Sequence, residues 1–227
     1  VIVNFSAQET FYKEKRAFFN ENQSLFDISN YDRYSVINTR RIGARPTYDC
    51  SMSSNEEECN DAKKNYSDID YSFRFTQKND LSNYGLFVAQ ESDEAFSKGR
   101  KFIALRGKTK IDSRSFGYMV TNVENDIADS ESTVNVIDYI NVRSKKLTTY
   151  ADLLTTKKND ETGKGMRLQY TYKPSDLTRN SASFLYFDKD FQINDFGYLK
   201  KSDWMHFGLG HNIKKIDYPE DSAFLQK

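Results

Sequence analysis

From Ile69 onward, apolar and polar residues alternate in short runs separated by polar turns. The cleanest run is Lys164–Lys173, with Met166, Leu168, Tyr170 and Tyr172 on one side and Arg167, Gln169, Thr171 and Lys173 on the other. A period of two is the signature of a strand whose faces meet different surroundings. Ile69–Thr76 repeats the pattern, setting Tyr71, Phe73 and Phe75 against Ser72, Arg74 and Thr76. Further segments of this kind are Tyr84–Ser92, Arg100–Lys108, Ser115–Val123, Thr133–Arg143, Lys146–Thr155, Ser181–Phe187 and Trp204–Lys214. Turn-forming clusters such as Lys78-Asn79-Asp80 divide them, and together they predict an all-β antiparallel meander. Upstream the texture changes to dense charge, Asn and Ser with paired aromatics, Phe11-Tyr12 and Phe18-Phe19. Only Gln8–Asn20 has a loose helical period there, and a short helix or a loop both fit it. The chain therefore reads as one domain: 1–66 as a loop or lumen segment with early strands, and 67–227 as the strands proper.

Alternation alone does not say which face is wet. A soluble sandwich or barrel buries its apolar face, whereas a membrane barrel turns that face to lipid and keeps polar residues inside. Three features favour the membrane form. Long charged residues (Arg74, Arg106, Arg167, Lys173) lie on the polar faces, Tyr and Phe gather at strand ends, and tight turns at Ser144-Lys145 and Pro174–Asp176 alternate with longer links at Asp93–Gly99 and Glu124–Ser132. A membrane-spanning helix needs about 20 apolar residues, and runs such as Phe102–Leu105 stop at four. The mean hydropathy of −0.78 does not decide the matter, because alternation hides a lipid face in the average. The start, Val1-Ile2-Val3-Asn4-Phe5, has neither an initiator Met nor the basic and apolar regions of a signal peptide. It reads as the interior of a longer protein, and nine strands fall short of the even count of bacterial barrels.

Charge adds an exclusion. Lys+Arg and Asp+Glu both number 33, so no global basic field points to nucleic acid. The 17 Phe and 15 Tyr need burial in core or lipid, which argues against a disordered chain. Cys50 and Cys59 lie nine apart in a polar stretch with neither a CxxC spacing nor a nearby His. That favours a local disulfide, and with it an oxidising compartment.

Signals for catalysis are weak. His206 and His211 are five apart on one expected strand, hence on opposite faces. No Ser sits in a G-x-S-x-G elbow. Gly208-Leu209-Gly210 is too short for a dinucleotide fingerprint, and Gly163-Lys164-Gly165 reads as a hairpin turn. Glu9, Glu14 and Glu21 lack any indication of the separation that glycoside hydrolysis requires. Asp188-Lys189-Asp190 with Asn194-Asp195 departs from a calcium-loop spacing and reads as a solvated turn. No catalytic residue, cofactor or metal site is expected.

The most distinctive segment is Glu9 to Asn22, E-T-F-Y-K-E-K-R-A-F-F-N-E-N, followed by S-L-F at Ser24–Phe26 and R-R-I-G-A-R-P at Arg40–Pro46. Aromatic pairs flank a charged centre, so the rings must bury while Glu14, Lys15 and Arg16 pair or reach water. Arg40-Arg41 suits phosphate or carboxylate partners, or the neutralisation of acids in a polar cavity. These blocks resemble a large family of Gram-negative outer-membrane proteins in which a carbohydrate-binding family-nine-like domain precedes a C-terminal β-barrel of unassigned function. Asp190–Trp204, D-F-Q-I-N-D-F-G-Y-L-K-K-S-D-W, is similar to that family's late D-F-x-x-N-D-x-G-Y/F-x-x-R-x-D block. Departures are Tyr12-Lys13 for Phe-Pro, Ala17 for Pro, and Lys201 for Arg.

The resemblance implies a non-catalytic segment of an outer-membrane barrel with a role in transport, binding or surface assembly. Its expected partners are outer-membrane lipid and a saccharide or an assembly partner. The family's sugar-binding domain lies outside this chain, so sugar binding transfers to no residue here. Glu14, Lys15, Arg16, Arg40, Arg41 and Trp204 are the candidate binding residues. A carbohydrate-binding or glycoside-processing protein is the first alternative, because exposed Tyr and Trp204 suit sugar stacking. A soluble all-β interaction domain is the second.

Overall fold

The computed structural model describes residues 14–21, 23–30, 33–51, 56–63, 66–144 and 146–214. Its N-terminal part holds the single-turn helix α1 (Ala17–Asn20), two two-residue strands, β1 (Ser29–Asn30) and β2 (Tyr34–Ser35), and helix α2 (Glu56–Ala62). The meander follows as β3 (Ile69–Lys78), β4 (Ser82–Glu91), β5 (Lys101–Ile111), β6 (Arg114–Asn125), β7 (Ser130–Arg143), β8 (Leu147–Lys158), β9 (Glu161–Ser175) and β10 (Thr178–Phe187). A long link carrying β11 (Tyr198–Leu199) leads to β12 (Trp204–Ile213). β3 to β10 and β12 form one nine-stranded sheet in which every pairing is antiparallel and sequential, with β12 beside β10. Among the described residues the sheet is open, with β3 and β12 as its edges.

Each of the nine alternating segments is thus a strand, and the fold is the all-β antiparallel meander that alternation predicts. Two expectations need correction, and a third, left open between helix and loop, is narrowed. The Gly163–Gly165 stretch is interior to β9, and the turn lies at Asn159-Asp160, where Asn159 takes the positive φ of 51° that Asn tolerates. Among the described residues of the Gln8–Asn20 segment, Ala17–Asn20 is a single helical turn preceded by an extended Arg16, and 8–13 lie outside the described residues. The link expected at Glu124–Ser132 shrinks to four residues, because β6 and β7 run on to Asn125 and from Ser130. Links at one end of the sheet are all short, at 79–81, 112–113, 144–146 and 176–177. The other end carries the long ones, at 92–100 and 188–203, beside shorter turns at 126–129 and 159–160.

The core lies on one face of the sheet, in the half nearest the long links. There Phe87, Phe102, Met119, Val136, Leu154 and Phe187 meet Phe19, Phe26, Ile28, Tyr34, Val36 and Ile42 from the N-terminal segment. Phe191, Ile193 and Phe196 of the 188–203 link fill the remaining space. Phe196 packs 5.2 Å from Phe102, and Phe191 stacks 4.9 Å from Phe187. β11 pairs with β2, which ties that link to the N-terminal segment in a three-stranded sheet with β1. We call this covered face the inner face.

The outer face is apolar and bare. Every strand of the meander contributes an exposed side chain to it: Phe73, Tyr84, Leu105, Tyr118, Ile137, Leu153, Leu168, Tyr186 and Leu209. Ile137 is 58 % exposed and Leu209 75 %. The band does not follow the rungs of the ladder. The rung that begins Phe73–Val88–Ile103 continues through Asn122, Thr133, Lys157 and Thr162. The rung that begins Leu209–Ala182–Tyr170 continues through Thr149 and Asn141 to Arg114. Between them, Tyr84, Gly107, Tyr118, Ile137, Leu153, Met166, Tyr186 and Met205 share one rung. The apolar band therefore crosses the sheet obliquely, moving toward the short-turn end from β3 to β12.

Candidate functional site

Four arginines of the sheet region hold the N-terminal segment by its backbone carbonyls. On β3, Arg74 donates to the carbonyls of Phe18 (2.8 Å) and Glu21, closing the C-terminal end of α1. Arg106 Nε on β5 donates to Leu25 O at 3.0 Å. Arg167 Nη1 on β9 donates to Ser29 O at 2.7 Å. Just before β5, Arg100 Nη2 donates to Arg41 O at 2.9 Å. A guanidinium has five donors in a fixed plane, so Arg100, Arg106 and Arg167 grip the segment and still pair with an acid of the sheet, while Arg74 binds carbonyls of the segment.

The acid partners sit on the inner face. Arg106 makes a two-pronged pair with Asp138, at 2.5 and 3.0 Å, and both side chains are buried. Arg167 Nε lies 2.6 Å from Asp152 Oδ2, which also accepts the Tyr34 hydroxyl at 2.5 Å. Arg100 binds both oxygens of the fully buried Glu91, at 2.8 and 2.7 Å, and Glu91 accepts Gly43 N–H at 2.8 Å. Buried charges persist only when paired and hydrogen-bonded in this way. Two glycines make room. A Cβ on Gly117 would stand 2.3 Å from Asp138 Oδ1 and 2.6 Å from Arg106 Nη1, and one on Gly85 2.5 Å from the Phe26 ring.

Four of the six binding candidates named from the sequence meet at one place. Glu14, Lys15, Arg16 and Arg40 line a pocket of ≈ 260 Å³ with Ile42 and Tyr66. Glu14 organises it, accepting the backbone N–H groups of Lys15 and Arg16 (both 2.9 Å), Arg16 Nη2 (2.8 Å) and Thr39 Oγ1 (2.8 Å). Burial pushes the Glu14 carboxyl up, but the hydrogen bonds from Arg16, Thr39 and Lys15 outweigh it and lower the pKa from 4.5 to about 2. Arg16 also donates to Thr39 O and Ile42 O and covers the Phe19 ring at 4.1 Å. The pair therefore staples the start of the segment to the turn at 39–42.

The other two candidates lie elsewhere. Arg41 Nε donates to Gly197 O of the long link at 3.0 Å. Trp204 begins β12 on the inner face, packed against the core and 5.3 Å from the Arg33 guanidinium. Cys50 and Cys59 form the expected disulfide. His206 and His211 take opposite faces of β12. Asp188 accepts Lys164 N–H, Asp195 accepts Lys158 Nζ and Asn194 accepts Leu199 N–H. Among the described residues no three His, Cys, Asp or Glu converge on a point, and no helix is long and apolar enough to cross a membrane.

Sequence reasoning reached Arg106 and Arg167 as polar-face residues but missed their partners Asp138 and Asp152, the Tyr34 hydroxyl on Asp152, and the Arg100–Glu91 pair; it also reached Arg74, whose partners are backbone carbonyls. The signal was present: Asp138 and Asp152 fall in phase with Val136 and Leu154, on the side of their strands that covers the core.

Residues 1–71 match the model of a domain of unknown function (DUF5916), in keeping with the resemblance to a family without assigned function. The match does not extend to a carbohydrate-binding domain. No curated protein matches the chain. Among solved structures, the chain is similar to OmpT (in-vitro folded), an outer membrane protein of Vibrio cholerae, at 14 % identity and a TM-score of 0.45. That likeness covers 65 % of this chain and 56 % of the other, so the chain spans little more than half of that protein's length.

Proposed function

We propose that this chain is a non-catalytic part of an outer-membrane β-barrel. In this reading the nine-stranded sheet is one stretch of its wall, the N-terminal segment sits on the lumen side, and the whole serves transport, binding or surface assembly. The observation that carries the reading is the inverted polarity of the sheet. Arg106–Asp138 and Arg167–Asp152 are buried on the inner face, while Leu209, Ile137 and Phe207 stand bare on the outer one. Water-soluble monomers do not expose apolar patches of this extent, whereas each such side chain gains about 1.5–3 kcal/mol on leaving water for lipid. Strand length agrees: a transmembrane strand needs about 9–11 residues, and these have 10 to 15. The oblique course of the apolar band agrees as well. Barrel strands tilt by about 35–45°, so a level slab of lipid crosses their ladder at a slant.

The test is recovery of the full-length protein from its host's membranes, with electrophoretic mobility compared before and after boiling. Outer-membrane recovery and a shift on boiling support the reading. Recovery as a folded protein in the soluble fraction, without detergent, overturns it in favour of a soluble β-domain.

A further inference from the structure

The chain's zero net charge conceals a segregation. Toward the short-turn end, the inner face presents Lys78, Arg106, Lys108, Lys110, Arg167, Lys173 and Arg179, against Asp138 and Asp152 from the strands and Asp27 from the N-terminal segment among the described residues. The register sets Lys78, Asn83, Lys108, Gly117, Asp138, Asp152 and Arg167 on one rung. Lys110, Ser115, Ile140, Tyr150, Gln169 and Ser183 occupy the next inner rung. Both sheet acids are already engaged: Arg106 takes both oxygens of Asp138, and Asp152 Oδ2 holds Tyr34 and Arg167. Of the lysines, Lys108 shares Asp138 with Arg106 at longer range, and Lys110 stands one rung beyond both acids. A cavity of ≈ 190 Å³ opens here, lined by Lys108, Arg106 and Arg167 and by Asp27, Asp138 and Asp152, with Lys110 outside it on the next rung. A group of acidic side chains lies at the opposite end, where Glu124, Asp126, Asp129, Glu131 and Asp160 surround the turns at 126–129 and 159–160, while the short links carry Asp80, Asp112 and Asp176.

We propose that this part of the inner face binds small soluble phosphate-class oxyanions, with Lys108 and Lys110 as the principal cationic contacts. The inference rests on the barrel reading only for its setting, a lumen, and names the solute class that such a lumen admits. A cluster of ammonium groups with hydroxyl and amide neighbours matches a multivalent oxyanion in charge and in hydrogen bonding. The occupant is a free solute, because this face lies across the sheet from the apolar band and lipid headgroups do not reach it.

The test is calorimetric titration of inorganic pyrophosphate into the full chain, folded in a zwitterionic detergent, at low and at physiological ionic strength. Binding is expected, weakening with salt. The double variant Lys108→Gln, Lys110→Gln should lose about tenfold or more in affinity, Lys108→Arg should retain it, and Lys157→Gln, at the far end of β8, should change it less than about twofold. Absence of binding, or equal binding by the double variant, overturns the proposal. So does an effect of the double variant on adsorption to phosphatidylglycerol vesicles with none on pyrophosphate, which would assign the lysines to a headgroup. The boiling shift, measured on the same samples, separates the two readings. Lysine-dependent binding by a chain that shows no shift keeps the anion site and removes the barrel, and a shift without binding does the reverse.

Discussion

The two faces of the nine-stranded sheet are built from the same strands, residue by alternate residue, and treat water in opposite ways. On the outer face Phe207 and Leu209 are largely exposed. On the inner face even charged side chains such as Arg106 and Glu91 are buried, alongside the apolar core. Apolar bulk thus secures the outer face only through its surroundings, whereas the inner face is secured by specific pairing within the chain. Damage to the first should depend on the solvent, and damage to the second should not.

The largest effect is expected inside. Asp138→Leu leaves the buried Arg106 without its carboxylate and should destabilise the fold by about 3–5 kcal/mol, read as the midpoint of urea unfolding. Replacing both partners, Arg106→Met with Asp138→Leu, should recover most of that loss. If it does not, the pair does more than neutralise itself. Next is the outer face. Leu209→Lys should cost about 2–4 kcal/mol in lipid vesicles and under about 0.5 kcal/mol in water. An equal cost in both media removes the contrast between the faces. Gly85→Val tests the contact between sheet and N-terminal segment. Its side chain meets the Phe26 ring, with a cost of about 1–3 kcal/mol, and Phe26→Ala in the same chain should relieve part of it.

The smallest effect concerns pH. Glu14 has its carboxyl lowered from 4.5 to about 2, so its contribution is complete above pH 4.5 and is lost as pH falls through about 2. The protection of amides around Thr39–Ile42, measured relative to the intrinsic exchange rate at each pH, should therefore fall across that window and stay flat above it. In Glu14→Gln the response should disappear.

How much of this the sequence discloses follows from which interactions are local. Alternation is local, so the strand from Lys164 to Lys173 and its eight companions are legible. Gly163 and Gly165 were misread because glycine marks both a turn and a close approach. Here it is the approach, with Phe187 and Phe191 lying where side chains would go. The ion pairs are not local: Arg106 and Asp138 are 32 residues apart, and Tyr34 and Asp152 118. Their meeting depends on strand register and on where the N-terminal segment lies. The oblique band likewise requires the register, since no single strand contains it. Glu14, Lys15, Arg16 and Arg40 came together because one short segment and one turn carry them all, while Trp204 belongs to a distant strand.

The four arginines that hold the N-terminal segment bind carbonyl oxygens, and every amino acid supplies the same one. Selection for this grip acts on the path of the chain and hardly on its letters at Phe18, Glu21, Ser29 or Arg41. Even proline keeps the required oxygen. Related chains can therefore diverge at these positions and retain the same seat, provided Arg74, Arg100, Arg106 and Arg167 remain. In comparing such chains, these four arginines are expected to vary less than the segment they hold.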